Sequence, residues 1–277
     1  MTENRQNSAP QGTLSVQLYT FRDAYAADPD GTLDRLAQMG FQYVEPFGVA
    51  SAQQPGGEHL KRAQALKRSL DASGLKASSA HVGAPIGEHT EAVLDAIETL
   101  GVRQAVISWP GEVPGFEREI LSTEDGVDRF AAAMNEAATN AARRGLSLGY
   151  HNHWWEWAGT SGTYPSAYDA LLARLDLSVV LELDVYWAQT AGQNPAALLG
   201  RLGERVHLLH LKDGPAIPEA AQLPLGQGVV DNLAAVRAAP WVRWHVLEMD
   251  HTDGDVFAEV QQSAQVLIGA GVSGWSL

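Results

Sequence analysis

From Leu14 onward, short apolar runs alternate with longer segments of helical period, the pattern of βα units laid on a parallel sheet. Eight units can be counted, with strands predicted over 14–19, 43–47, 76–81, 104–109, 146–151, 179–184, 206–211 and 244–248. Helices are predicted between them over 57–73, 89–100, 123–144, 166–175, 195–203 and 255–270. Acidic Glu124 and Asp125 behind Ser122-Thr123, and the pair Asn194-Pro195, read as helix starts. Gly40, Gly74, Gly101, Gly145 and Gly271 stand where helices should end. The spacing is regular and shows no interdomain linker. The expected fold is one α/β domain, a single (β/α)8 TIM barrel over 13–277, preceded by a disordered tail over 1–12. A doubly wound eight-stranded sheet is the alternative. Closure is favoured because polar residues recur at the C-terminal end of strand after strand.

Strand side chains alternate between barrel interior and helix layer. In the fifth strand Leu146, Leu148 and Tyr150 share the helix-facing side, so Ser147, Gly149, His151 and His153 point inward. In the sixth, Leu181 and Leu183 face helices while Val180, Glu182 and Asp184 point in. The seventh groups Leu208, His210 and Lys212, and the eighth Val246, Glu248 and Asp250. His207 and His245 fall on the helix-facing side and read as structural. Four strands thus deliver His151, Asp184, His210 and Glu248 at nearly one height. A mixed imidazole and carboxylate set suits one divalent cation, with Mn²⁺ the leading choice and Co²⁺, Zn²⁺ or Mg²⁺ the alternatives.

Composition narrows the partners. With 277 residues and 45% hydrophobic content the chain can bury a full core. Its formal charge of -14 repels nucleic acid and anionic membrane surfaces. The absence of cysteine excludes disulfides, thiolate ligands and cysteine nucleophiles. Met1–Gly12 carries neither the apolar core nor the cleavage pattern of a signal peptide, and no run reaches the ~18 apolar residues of a membrane helix, so a cytoplasmic protein is expected. A homo-oligomer is compatible with the sequence.

The runs LSVQLYTFRD, YVEPFG, LGYHNHWWEW, LELDVYWAQTAG, HLLHLKDG, LGQGVVD and HVLEMDH resemble the xylose isomerase-like sugar isomerase/epimerase superfamily, in particular the branch with a Tyr-His-Asn-His segment. The resemblance covers nearly the whole chain from Leu14. It implies a divalent metal held from the last four strands, with Asp184, His210 and Glu248 as ligands. At the fifth strand, where the superfamily pattern has a glutamate, this chain has His151. In the epimerases this fold resembles, glutamates on the fifth and eighth strands bind metal and also move the proton. Here Glu248 is the expected catalytic group, and its counterpart is sought among His153, Glu156 and Glu182.

Other strand ends should shape a pocket for a small sugar: Gln17, Tyr19, Glu45, Phe47, His81, Trp109, Trp187 and Lys212, with aromatic faces for the apolar side of a ring. Of the eight tryptophans, Trp109, Trp154, Trp155, Trp157 and Trp187 fall at or just after strand ends. The LGQGVVD run lacks the lysine of a phosphate-binding loop, so a phosphorylated substrate has no support. The expected function is metal-dependent isomerisation or epimerisation through proton abstraction next to a carbonyl. The alternative is a lyase that dehydrates a keto-inositol or cleaves a 3-keto-glycoside. An apurinic endonuclease would need more early-strand ligands than His81 and Glu45 and a basic surface, and a catalytically inert sugar binder would hold no metal.

Overall fold

A computed structural model describes residues 12–52, 54, 56–158 and 162–276. The tail expected over 1–12 therefore lies outside the described residues except for Gly12, which is not tail but the first residue of a strand. The order is β1 Gly12–Gln17, α1 Arg22–Ala27, α2 Pro29–Gln38, β2 Tyr43–Glu45, α3 His59–Ala72, β3 Lys76–Ala77, β4 Ala80–His81, α4 Thr90–Leu100 and β5 Gln104–Ile107. It continues with α5 Glu124–Ala142, β6 Ser147–His151, α6 Ala167–Arg174, β7 Val180–Asp184, α7 Val185–Thr190, α8 Pro195–Leu202 and β8 Val206–Leu211. It ends with α9 Asn232–Ala238, β9 Trp244–Leu247, α10 Val256–Gly269 and β10 Ser273–Gly274.

Every pairing between these strands is parallel, and β1 lies between β2 and β9. The expected third strand is split: β3 pairs with β2, and β4 pairs with β5. The two halves are joined through Ser78 and Ser79, whose side chains turn to polar neighbours. Ser78 Oγ reaches Ser15 Oγ at 2.8 Å and Ser79 Oγ donates to Glu45. The ring so closed is the single TIM barrel, and the expected fifth to eighth strands are β6 to β9. Outside the ring, β10 adds to the edge of β1, where Gly12 N donates to Val272 O at 3.2 Å. A side chain at Gly12 would collide with the His245 ring, 2.5 Å from its Cβ position.

The alternation of side chains holds through most of the barrel. Leu148, Tyr150, Leu181, Leu183, Leu209, Leu211 and Leu247 pack in the layer between strands and helices. Val106, Leu208 and Val246 form a separate apolar plug inside, with Trp244 against it. At Gly149 an added Cβ would come within 3.1 Å of Val180 on the neighbouring strand. Thr123 and Asn194 cap α5 and α8 as their sequence implied, accepting from Gly126 N and Ala197 N. No helix of the described residues is long and apolar enough to cross a membrane.

One alternation expectation fails. The β7–β8 register shifts between Leu181 and Glu182. His207 at this bulge does not face the helices: its Nδ1 lies 2.6 Å from Gln104 Nε2 on β5, a strand that is not its neighbour, so the contact spans the lower end of the barrel. His245 does sit in the outer layer, fully buried, with Nδ1 2.7 Å from Ser273 Oγ.

Two outcomes follow for stability. Leu208→Ala opens a void in the plug, and chemical denaturation should show a loss of about 2–5 kcal/mol. Burial pushes the His245 ring down to about 4 from 6.5. The unfolded chain takes up that proton first, so unfolding free energy should fall as pH drops below 6.5 and level off near 4. His245→Asn should flatten that part of the profile.

Candidate metal centre and active site

The C-terminal ends of four neighbouring strands bring the expected donors together. His151 closes β6, Asp184 closes β7, His210 lies one residue before the end of β8, and Glu248 follows β9. One donor atom from each lies within 4.8 Å of the others, and all four side chains are buried. His81, His151, Glu182 and His210 make a second group of the same tightness just beneath, sharing two rings with the first.

Contacts inside the cluster are short and charged. His210 Nδ1 lies 2.6 Å from Glu248 Oε2, and its Nε2 lies 2.7 Å from Glu45 Oε1. Glu182 Oε2 takes His81 Nε2 at 2.7 Å and His151 Nδ1 at 3.0 Å. Lys212 Nζ stands among Glu248 Oε2 at 2.7 Å, Asp250 Oδ2 at 2.8 Å and Asp184 Oδ2 at 2.9 Å. Burial alone would raise Glu45 and Glu248, but His81 and His210 hold Glu45 well below the usual carboxylate range, and Lys212 with His210 does the same to Glu248. At Asp184 burial prevails over Lys212 and pushes the carboxyl up to about 6. Burial drives His151 and His153 well below the ordinary imidazole range, whereas Glu45 and Glu182 overcome it at His81 and raise that ring to about 10.

The cluster floors a cavity of about 380 Å³ whose walls include Tyr19, Phe47, Trp109 and Trp155. His81, His151, His153, Lys212, Glu248 and Asp250 supply its polar lining. A larger cavity of about 810 Å³ opens at the other end of the strands, around Tyr43, Lys76, Gln104, Ser147 and Trp244, and takes in none of the clustered donors.

Several candidates stand elsewhere. Gln17 and Glu45 are fully buried under the floor, 2.8 Å apart through Gln17 Nε2 and Glu45 Oε1. Trp187 is buried beside the cluster, giving its backbone N–H to Asp184 Oδ1 and lying 5.3 Å from Lys212 Nζ by its ring centroid. Glu182 lies below the cavity lining. Glu156 is not brought to the cluster: Tyr150, on the helix-facing side of β6, donates its hydroxyl to Glu156 Oε1 at 2.8 Å, and His153 N donates to Oε2 at 2.9 Å. Burial raises this carboxyl to about 7.

Three contributors escaped the sequence reading. Ser108 and Glu112 line the cavity, with Glu112 fixed by Ser51 Oγ and Ala52 N, each at 3.1 Å. Gln222 holds Asp250 from both sides, donating to Oδ2 at 2.9 Å and accepting from its N at 2.7 Å. Ser108 lies within the strand predicted over 104–109, on the parity of interior Val106, so alternation could have found it, whereas Glu112 and Gln222 belong to no periodic run. The LGQGVVD segment has a different use. Its amides on Gly226, Gly228 and Val230, with that of Gly214, all donate to the Asp213 carboxylate at 2.8–3.1 Å. Gly228 permits this approach, since a Cβ there would lie 2.2 Å from Asp213 Oδ1. An anion from outside finds these amides taken.

The donor set fits a divalent cation. Glu182 Oε1 is buried without a hydrogen-bond partner, and Asp184 Oδ2, though close to Lys212 Nζ, makes no hydrogen bond either. Buried carboxylate oxygens in that condition favour a cation.

Relatives place the architecture. An inosose dehydratase of Clostridium beijerinckii is 27% identical over 174 residues, 57% of each chain. The chain thus spans a little over half of that relative's length. An inosose dehydratase of Geobacillus thermodenitrificans is 25% identical over 230 residues, 70% of this chain and 76% of that one. A crystal structure of a sugar phosphate isomerase/epimerase from Parabacteroides distasonis superimposes with a TM-score of 0.74 at 22% identity, covering 98% of this chain and 99% of the other. That of the IolI protein with a zinc atom does so with a TM-score of 0.65 at 16% identity, covering 93% and 98%. Residues 33–268 match the sequence profile of the xylose isomerase-like TIM barrels, and the chain belongs to that family.

Proposed function

We propose that this chain is a metal-dependent enzyme that removes the proton next to the carbonyl of a small polyhydroxylated ketone and expels the β-hydroxyl as water. The observation that carries the reading is the gathering of His151, Asp184, His210 and Glu248, of which His151 and Glu248 open onto a cavity sized for one sugar or cyclitol ring. These four would hold the cation. When bound, it supplies Lewis-acid stabilisation of the charge that develops on the carbonyl oxygen.

The chain's own groups account for the proton. Glu248, kept ionised by Lys212 and His210, is the base. A carboxylate that has taken the α-proton can hand it to the departing hydroxyl. The C–H and C–O bonds break, a C=C bond forms, and one water leaves with no further acid required. Tyr19, Phe47, Trp109 and Trp155 exclude water and stack on the ring's apolar faces. The inosose dehydratase names of the curated relatives support the same outcome.

Epimerisation or aldose–ketose isomerisation is the second reading. Isomerisation could use Glu248 alone, returning the proton to the neighbouring carbon, whereas epimerisation needs a proton donor facing Glu248, and His153 is the lining group in question, its Nδ1 buried without a partner. Burial pushes that ring's pKa down, which disfavours it as a donor, and the dehydratase relatives put elimination first.

The test is NMR in D2O with Mn²⁺-loaded protein on a panel of inososes and ketoses. Water loss with an ultraviolet-absorbing enone is expected. Deuterium uptake without water loss would transfer the assignment to the second reading, and no exchange on any substrate would sink both. Glu248→Gln should lower the rate about 10²- to 10⁴-fold with the fold retained by circular dichroism.

A further inference from the structure

His151 and His210 belong to both donor groups, and each ring presents its two nitrogens to different neighbours. His151 Nδ1 lies 3.0 Å from Glu182 Oε2, leaving Nε2 on the side of Asp184, 3.7 Å from Oδ2. His210 is turned the other way. Its Nε2 points down to Glu45 Oε1 at 2.7 Å and Glu182 Oε2 at 3.2 Å, and its Nδ1 faces Glu248 at 2.6 Å. A ring nitrogen that binds a cation carries no proton, so the other nitrogen keeps the hydrogen and needs an acceptor.

The geometry points to Glu182 and Glu45 as positioning residues of the metal centre. Glu182 accepts the Nδ1 hydrogen of His151 and so presents Nε2 to the cation, while Glu45 accepts the Nε2 hydrogen of His210 and presents Nδ1. This assignment rests on the metal-dependent reading above. His81 ties the two acceptors together, its Nε2 2.7 Å from Glu182 Oε2 and 3.2 Å from Glu45 Oε1. Gln17 and Ser79 also donate to Glu45. Both carboxylates are fully buried, so these contacts rather than water fix where their oxygens stand.

The rival arrangement puts the cation in the lower group itself, with Glu182 and His81 as ligands. Glu182 Oε2 already has three ring nitrogens within 3.2 Å, and of that group only the rings of His81 and His151 line the cavity, whereas the upper group presents the Glu248 carboxylate to it.

Calorimetric titration of the whole protein with Zn²⁺ tests the assignment, together with ¹⁵N NMR of the histidine rings in the Zn²⁺-loaded wild type. Glu182→Gln and Glu45→Gln should each weaken binding by about 10- to 100-fold, with Asp184→Asn weakening it further. The wild-type spectrum should show His151 with its hydrogen on Nδ1 and His210 with its hydrogen on Nε2. Thermal unfolding of the metal-free variants checks that they fold, and if either does not, the wild-type spectrum decides alone. Unchanged affinity in both glutamine variants overturns the assignment, as does either ring in the opposite tautomer. Binding lost in His81→Ala but kept in Glu248→Gln establishes the rival site. A wild type that binds Zn²⁺, Mn²⁺ and Co²⁺ not at all removes the metal-dependent reading as well, a result distinct from the others.

Discussion

Burying charge inside a barrel is costly unless every charge has a partner, and that constraint organises the upper half of this molecule. Glu45, Glu182, Asp184 and Glu248 are all withdrawn from solvent, and they persist because His81, His210 and Lys212 are threaded between them. The network spans the barrel from β2 to β9, so a shift of any strand end that carries one of these groups unpairs a charge on another. The apolar plug of Val106, Leu208 and Val246 closes the interior below it. Together they keep the cavity floor rigid, as a site that must hold several donors to within fractions of an ångström requires.

Much of this was legible in the sequence because a strand repeats every two residues. That period separated Glu182, Asp184 and Glu248 from the leucines beside them, and the ends of the apolar runs indicated which polar residues would stand at the top. His151, Asp184, His210 and Glu248 all came together on those grounds, and family resemblance pointed to three of them independently. Alternation gives the face of a strand but not its height relative to its neighbours. Height depends on the stagger of all eight strands around the ring, a non-local quantity. Gln17 and Glu45 were therefore expected in the pocket wall and lie beneath it.

Other departures have local causes that period-two reasoning cannot contain. A bulge turned His207 across the barrel end, and two serines with side-chain partners broke the third strand. Glu156 follows the hydroxyl of Tyr150 away from the cavity. The glycine-rich run after Lys212 looked like a loop without a ligand. Its ligand is Asp213, and four backbone amides converging on one carboxylate fix the chain immediately after the lysine that bridges Asp184, Glu248 and Asp250.

The exchange of a carboxylate for an imidazole at His151 alters the formal charge of the donor set. Two imidazoles with Asp184 and Glu248 carry two negative charges, where a glutamate on β6 would bring a third. A divalent cation among them would be matched rather than overmatched. Its pull on the electrons of an incoming carbonyl oxygen would be less spent on its own ligands, and the centre would polarise that oxygen more than a set with a third carboxylate could.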